Sequence, residues 1–123
     1  MTAPIRCLLL NYDGSTYTLI RRYLRQAGCQ ELMPATGSLT DRLPVATALT
    51  DADLVVLHLS SPEESVREDL ASVLSRHPGV VITSPFPQHL FTDLFTQPFA
   101  FLTEPFTYKQ FHNCLNNYRP PAR

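Results

Sequence analysis

The polar residues best suited to chemistry stand at the ends of apolar runs in this sequence. In chain order they are Asn11, Tyr12, Asp13, His58, Thr83, Ser84 and Glu104. A histidine beside a carboxylate could act as a general base, and a nearby hydroxyl could be a nucleophile. Several anionic oxygens together could instead hold a divalent cation such as Mg²⁺. Either chemistry requires the fold to bring these positions into one cleft.

The apolar runs predict buried strands, and the segments between them predict helices. The predicted strands are residues 5–10, 31–35, 53–59, 80–83 and 99–103. The predicted helices are residues 15–27, 62–76 and 107–118. Residues 85–98 are predicted to form an irregular segment or a short helix, and the structure of residues 38–49 is ambiguous from the sequence. Alternation of this kind favours a parallel sheet with helices on both faces, whose functional cleft lies at the carboxyl ends of the strands.

Composition narrows the classes of protein to which the chain can belong. With 123 residues, 44% of them hydrophobic, we predict one domain over residues 1–123 with a core of about residues 4–118. A net charge of -1 argues against a nucleic-acid partner, and the apolar runs are too short to span a bilayer. Cys7, Cys29 and Cys114 form no CxxC pair, so we expect free thiols in a reducing cytoplasm.

With this layout, the segments LLLNYDGS, HLSSP, VVITSP and FLTEPF resemble the signature segments of CheY-like response-regulator receiver domains across essentially the whole chain. Pro62 stands four residues beyond His58, where the family has a proline after its phosphoacceptor aspartate. Pro105 and Phe106 match the proline and aromatic residue that follow the family's lysine. The resemblance implies a flavodoxin-like, doubly wound α/β fold with five parallel strands in the order 2-1-3-4-5. It also implies a cis peptide bond before Pro105.

The functional positions depart from the family pattern. Asn11 and Tyr12 stand where the family has an acidic pair, and an acid follows only at Asp13, which we expect to cap a helix or face solvent. We therefore expect no cofactor and no Mg²⁺ site. His58 replaces the phosphoacceptor aspartate, so an acyl phosphate cannot form at this position. Glu104 replaces the lysine and would repel a phosphoryl group.

The two replacements at His58 and Glu104 exchange the signs of residues that face each other across the family's cleft. We therefore predict a hydrogen bond between the two side chains. Histidine changes charge near neutral pH, so this bond could lock the cleft in a pH-dependent way. Thr83 or Ser84 matches the family's switch hydroxyl and Phe101 its switch aromatic, although both positions are also compatible with ordinary packing.

The leading hypothesis is a phosphorylation-independent pseudo-receiver, an interaction module in signal transduction and not an enzyme. The resemblance implies a protein partner or homodimer on the face of the fourth helix, fifth strand and fifth helix, with no nucleic acid or membrane involved. The interface candidates are Phe91, Phe95, Phe101, Tyr108 and Phe111. The alternative for the phenylalanines between residues 86 and 101 is that they fill the core.

Two other functional hypotheses remain open from the sequence. The chain could be an atypical receiver that is still switched by phosphate or another ligand through His58, Asp13 or Ser84. It could also be a small enzyme in which His58 is a general base oriented by Glu104 or Asp13. Ser60, Ser61 and Ser84 would then be the candidate nucleophiles, although no sequence motif supports this chemistry.

Overall fold

Strands and helices alternate along the chain, which the structure, a computed structural model, describes at residues 4–12, 14–32, 51–64, 66, 68–92, 94 and 97–118. The strands are β1 (Arg6–Leu10), β2 (Gln30–Glu31), β3 (Leu54–His58), β4 (Val80–Ser84) and β5 (Ala100–Thr103). The helices with described bounds are α1 (Gly14–Gln26), α2 (Glu68–Ser75) and α3 (Tyr108–Asn117). A 3-10 turn, Gln88–Leu90, lies between β4 and β5 in the segment predicted to be irregular.

All five strands are parallel and lie in the order β2-β1-β3-β4-β5, which confirms the predicted order 2-1-3-4-5. This order leaves β2 and β5 as the outer strands. His58 pairs with Thr83, and Ser84 pairs with Thr103, so β3, β4 and β5 end at nearly the same level. The predicted cleft therefore lies at this carboxyl end of the sheet.

Side chains alternate between two core layers, one on each face of the sheet, because successive strand residues point to opposite faces. The first layer includes α1 and α3, and its buried residues are Cys7, Leu9, Tyr12, Ile20, Leu24, Leu54, Val56, Val81, Phe106, Phe111, Cys114, Leu115 and Tyr118. The second layer includes α2, and its buried residues are Leu8, Leu10, Ala52, Val55, Leu57, Leu59, Leu74, Val80 and Ile82. Covering both faces explains why the inner strands are apolar at nearly every position.

The second helix begins later than the sequence predicts. A helix over residues 62–76 was expected from the serine, proline and acidic residues that open this segment, but residues 61–64 form a turn and α2 begins at Glu68. The backbone N–H of Glu64 donates to the carbonyl oxygen of Ser61, 3.2 Å away. The carboxylate of Glu64 accepts from the backbone N–H of Ser60 at 2.8 Å. These bonds hold Glu64 in a loop conformation and delay the helix.

The other boundaries agree with the sequence to within a few residues where they are described. The predicted strand over residues 31–35 is represented by Gln30–Glu31, and residues 33–35 and 38–49 lie outside the described residues. The peptide bond between Glu104 and Pro105 is cis, as the resemblance implied. In the part of the chain that the structure describes, no helix is both long and apolar enough to cross a membrane.

Both ends of α3 are fixed by specific contacts. Thr107 caps the start of the helix through two reciprocal bonds. Its hydroxyl accepts from the backbone N–H of Gln110 at 3.1 Å, and its own backbone N–H donates to Oε1 of Gln110 at 2.8 Å. At the other end, the Tyr118 hydroxyl donates to the carbonyl oxygen of Asp53. A Cβ atom at Gly79 would lie 2.5 Å from Cε1 of Tyr118, so this close approach requires glycine. The helix therefore spans the sheet from its carboxyl end to its amino end.

Candidate functional site

The predicted hydrogen bond at the carboxyl end of the sheet is present. Nδ1 of His58 lies 2.7 Å from Oε2 of Glu104, and the two side chains are only 13% and 16% exposed. His58 ends β3, and Glu104 is placed by its backbone N–H, which donates to the carbonyl oxygen of Ser84 at 2.7 Å. Because a carboxylate can only accept, the proton in this bond belongs to the imidazole Nδ1.

Tyr12 fills the space beside this pair. Its ring centroid lies 5.2 Å from that of His58, and its hydroxyl is hydrogen-bonded to Oγ1 of Thr83. Both Tyr12 and Thr83 are buried. Burial raises the pKa of Tyr12, and the negative charge of Glu104 acts in the same direction, although the bond to Thr83 opposes them. The position that the resemblance assigns to the second acid is therefore occupied by a neutral aromatic side chain that points into the core.

The inward direction of Tyr12 has a local cause in the backbone. Strict alternation along β1 would place residue 12 with Leu8 and Leu10 in the second core layer. Tyr12 lies in the first layer instead, with Cys7 and Leu9. Asn11 has a φ of 66°, a left-handed conformation that asparagine tolerates better than most residues. This single residue ends the strand and breaks the alternation.

Asn11 also ties the end of β1 to the loop after β3. Its side-chain nitrogen Nδ2 donates to the carbonyl oxygen of His58 at 2.8 Å and to Oε2 of Glu64 at 3.0 Å. Both partners are acceptors, which fixes the orientation of the amide. The other oxygen of Glu64 accepts from the Ser60 hydroxyl at 3.1 Å. The role of Glu64 as a hydrogen-bond acceptor for Asn11 and Ser60 was not predicted from the sequence, in which Glu64 was interpreted as an acidic residue of the first helical turn.

Thr83 and Ser84, the predicted switch hydroxyls, are fully buried. The Thr83 hydroxyl is engaged by Tyr12, whereas Oγ of Ser84 accepts from the backbone N–H of Phe86 at 3.1 Å. Phe101 is half-buried and belongs to the second core layer. Both hydroxyls therefore have partners within the domain. Asp13, predicted as a helix cap, lies outside the described residues.

The interface candidates divide between the surface and the core. Phe111 is 0% exposed and fills the first core layer, so its assignment to an interface was wrong. Phe91 and Phe101 are half-buried and contact each other, with ring centroids 5.3 Å apart. Tyr108 is half-buried, and its ring lies 5.5 Å from that of His112. Phe95 lies outside the described residues.

Among the described residues, the two exposed phenylalanines, Phe86 and Phe99, lie at opposite ends of β4. Phe86 is 39% exposed and follows the carboxyl end of β4. Phe99 is 38% exposed, and its backbone N–H donates to the carbonyl oxygen of Val80, the first residue of β4. The backbones of the two residues are therefore separated by at least the length of the strand, about 13 Å for four residue steps. Leu90, 44% exposed, is the remaining large apolar side chain that the β4–β5 connection presents to solvent among its described residues.

A groove of about 660 Å³ lies next to Glu104, between α1 and the segment after β5. Its lining residues are Ser15, Thr16, Thr18, Leu19, Ile20, Arg22, Pro85, Glu104, Pro105 and Phe106. Within the residues that the structure describes, no group of three or more histidine, cysteine, aspartate or glutamate side chains is arranged to hold a metal ion.

Comparison with solved structures identifies the fold. The chain superposes on a response regulator receiver domain protein from Clostridium thermocellum with a TM-score of 0.68 at 20% identity, covering 92% of each chain. It superposes on the non-phosphorylated HemR receiver domain from Leptospira biflexa with a TM-score of 0.65 at 20% identity, covering 97% of this chain and 99% of that one. It superposes on the chemotaxis response regulator CheY4 of Vibrio cholerae with a TM-score of 0.61 at 16% identity, covering 93% of this chain and 98% of that one.

No family model matches this sequence. No curated protein matches it either. The structural likeness, together with the strand order, nevertheless defines the class: the chain has the flavodoxin-like fold of CheY-like receiver domains.

Proposed function

We propose that this chain is a receiver-like protein-interaction module in signal transduction that works without phosphorylation. The observation that supports this most strongly is the hydrogen bond between His58 and Glu104. It joins the two positions that the resemblance assigns to the phosphoacceptor and the lysine, and neither residue has the chemistry of the one it replaces.

Phosphoryl transfer is disfavoured by the charges in the cleft. An acyl phosphate requires a carboxylate nucleophile, and His58 supplies an imidazole whose Nδ1 is held by Glu104 at 2.7 Å. A transferred phosphoryl group carries negative charge that enzymes neutralise with cations or hydrogen-bond donors. The carboxylate of Glu104 would oppose such a group. The role proposed here therefore includes no phosphorylated state.

The residues at the acidic-pair positions do not fit the Mg²⁺ ion that receiver domains use. Magnesium needs octahedral oxygen ligands, of which one or two are usually carboxylates. Asn11 presents its amide N–H groups to two acceptors, and the Tyr12 hydroxyl is buried against Thr83. Neither position supplies the carboxylate that a Mg²⁺ site usually contains. We therefore assign no role to Mg²⁺.

Treatment with a small phosphodonor tests this proposal directly. The full chain would be incubated with acetyl phosphate and Mg²⁺, beside a receiver domain with the complete acidic set as a positive control, and measured by intact mass spectrometry. We expect the control to gain one phosphate and this chain to keep its mass. A gain of one phosphate that is lost in His58→Gln would overturn the proposal and support the atypical, still-switched receiver.

The proposed interaction surface is centred on β5. β5 is an outer strand of the described sheet, with β4 as its only strand partner among the described residues. Ala100, Phe101 and Leu102 are only half-buried, whereas every residue of β4 is buried. We define the β5 surface as β5 with Leu90, which precedes the Phe91 ring that contacts Phe101, and Tyr108, the first residue of α3. It leaves apolar area for another protein chain. A second copy of this chain is the occupant that we test first.

Matched substitutions on two sides of the sheet test the β5 surface. Leu90→Ser changes an exposed residue of this surface, while Val73→Ser changes a residue of α2 that is similarly exposed, at 37% against 44%. In analytical ultracentrifugation at increasing concentration, we expect dimers of the wild type and of Val73→Ser, and weaker association of Leu90→Ser. A wild type that stays monomeric, or an equal effect of both substitutions, would exclude self-association through this surface.

The pairing of His58 and Glu104 also resembles a general base with its orienting carboxylate. Two of the three candidate nucleophiles, Ser60 and Ser84, are engaged elsewhere, and no contact joins Ser61 to His58 among the bonds of the described residues. The Ser60 hydroxyl donates to Glu64, and Oγ of Ser84 accepts from the Phe86 backbone while fully buried. A nucleophile must lie within hydrogen-bond reach of its base. We therefore propose no enzymatic activity for this cleft.

A further inference from the structure

The groove beside Glu104 has the size of a small-molecule site. Its volume of about 660 Å³ falls within the range of about 300 to 1,000 Å³ that is typical of such sites. One wall is α1, whose lining residues include Ser15, Thr18, Leu19 and Arg22. They recur every three or four residues, so a single face of the helix lines the groove. The opposite wall consists of residues that follow β4 and β5, and the β5 surface includes none of the lining residues.

The groove has a carboxylate at one end and a guanidinium at the other. Because α1 follows β1, its first turn, with Ser15, lies at the carboxyl end of the sheet, where Glu104 follows β5. Arg22 stands two helical turns beyond Ser15, which is about 10 Å along the helix axis. Helical side chains tilt toward the start of their helix, so the two charged groups are separated by about 10 Å or less along this axis.

Both charged groups can accept a ligand without breaking a contact of their own. Oε2 of Glu104 is bonded to Nδ1 of His58 at 2.7 Å, and within the described residues Oε1 of Glu104 accepts no hydrogen bond. The Glu104 side chain is only 16% exposed, so water screens its charge less than at the open surface. None of the ion pairs between described side chains includes Arg22.

Between the two charges the groove is mainly apolar. Leu19 and Ile20 line it from α1, and Pro105 and Phe106 line it from the segment after β5. The Tyr23 hydroxyl donates to the carbonyl oxygen of Phe106 at 3.2 Å, and the two rings lie 5.9 Å apart. These contacts hold the two walls together, so the apolar middle of the groove is formed before a ligand arrives.

We propose that this groove binds a free peptide of two or three residues with apolar side chains. The ammonium group of the peptide bonds to Oε1 of Glu104, and its carboxylate bonds to Arg22, whose guanidinium matches a carboxylate in shape. An extended chain covers about 3.3 to 3.6 Å per residue, so three residues span about 10 Å. The apolar side chains of the peptide pack against Leu19 and Phe106.

The two opposite charges select this class of ligand. An anion without an ammonium group would be repelled by Glu104, and a cation without a carboxylate would be repelled by Arg22. The start of α1 carries only about half a positive charge, whereas Glu104 carries a full negative one, so the ammonium group belongs at this end. The inference concerns a separate site and does not depend on how the β5 surface is used.

A nuclear magnetic resonance titration of the full chain with Ala-Leu-Ala tests the proposal. We expect the backbone N–H signals of Leu19 and Phe106 to shift, and that of Val73 on α2 to stay unchanged. The N-acetylated and the C-amidated peptide, which each lack one charge, should bind at least about tenfold more weakly. Blocked peptides that bind as tightly as the free one, shifts confined to other surfaces, or no shifts at millimolar peptide would each overturn the proposal.

Matched variants assign the two ends of the peptide. Arg22→Gln should weaken binding of Ala-Leu-Ala at least about tenfold and leave binding of the C-amidated peptide unchanged. Arg25→Gln is the control, because Arg25 is exposed on the same helix and does not line the groove. Equal effects of the two arginine substitutions would overturn the assignment.

The Glu104→Gln variant examines the other end of the groove. It should weaken binding of Ala-Leu-Ala by a similar factor and leave binding of the N-acetylated peptide unchanged. Because Glu104 also bonds to His58, circular dichroism checks that this variant is folded, and the arginine variants test the site independently of that bond. A folded Glu104→Gln that binds Ala-Leu-Ala as tightly as the wild type would contradict the assigned direction of the peptide.

Discussion

The side chains of His58 and Glu104 join two strands that are not neighbours. His58 ends β3 and Glu104 follows β5, and their bond of 2.7 Å passes over the end of β4, which lies between these strands. No backbone ladder connects β3 to β5 directly. The bond therefore couples the loops that leave these two strands across the end of β4.

Removing the Glu104 carboxylate should lower the free energy of unfolding by about 1 to 2 kcal/mol, because the largely buried imidazole of His58 would lose its partner. The variant is Glu104→Ala, measured by urea unfolding at neutral pH. Glu63→Ala is the control, since Glu63 is exposed and its loss should change stability by less than about 0.5 kcal/mol. Equal losses in the two variants would show that the bond adds no stability.

Tyr12→Phe should cost about 1 to 2 kcal/mol of stability because it leaves the fully buried hydroxyl of Thr83 without its partner. The double variant Tyr12→Phe with Thr83→Val removes both polar groups and should recover most of this loss. Tyr17→Phe is the control, since its hydroxyl bonds to Glu31 at a partly exposed site. A double variant that is less stable than Tyr12→Phe would argue against the bond.

Burial raises the pKa of the Cys114 thiol from 9.0 to about 11. Alkaline pH should therefore destabilise the fold through this residue. The folded state then holds its thiol proton more tightly than the unfolded chain does. This contribution to stability is complete below pH 9.0 and is lost as the pH rises to about 11. Between about pH 8 and pH 11 the wild type should lose on the order of 2 kcal/mol more than Cys114→Ala in urea unfolding. Parallel pH dependences would contradict this assignment.

The left-handed backbone of Asn11 predicts an unusual order of substitutions. Asn11→Gly and Asn11→Ala both remove the bonds to His58 and Glu64, but only alanine is strained at a φ of 66°. We expect Asn11→Ala to be less stable than Asn11→Gly by about 1 kcal/mol. In an ordinary strand or helix the order would be reversed. Thermal unfolding of both variants measures the difference, and an alanine variant as stable as the glycine variant would disprove the strain.

The sheet could be predicted from the sequence because its inner strands are continuous apolar runs. The pairing of His58 with Glu104 could be predicted because the resemblance placed both residues in one cleft with exchanged charges. The direction of Tyr12 could not, since it depends on one left-handed residue at Asn11 that reverses the periodicity of β1. The role of Glu64 was also missed, because an acid after a proline is equally typical of a helix start.

The anchoring of α3 has a mechanical consequence for the whole domain. The helix starts close to Glu104 and ends where Tyr118 packs on Gly79 and bonds to the carbonyl of Asp53. Its ten residues form a rigid helix about 15 Å long between opposite ends of the sheet. A displacement of Glu104 at one end would therefore be transmitted along α3 to the contacts of Tyr118 at the other. A partner protein that binds near Tyr118 could therefore respond to whether the bond between His58 and Glu104 is formed, without contacting the cleft itself.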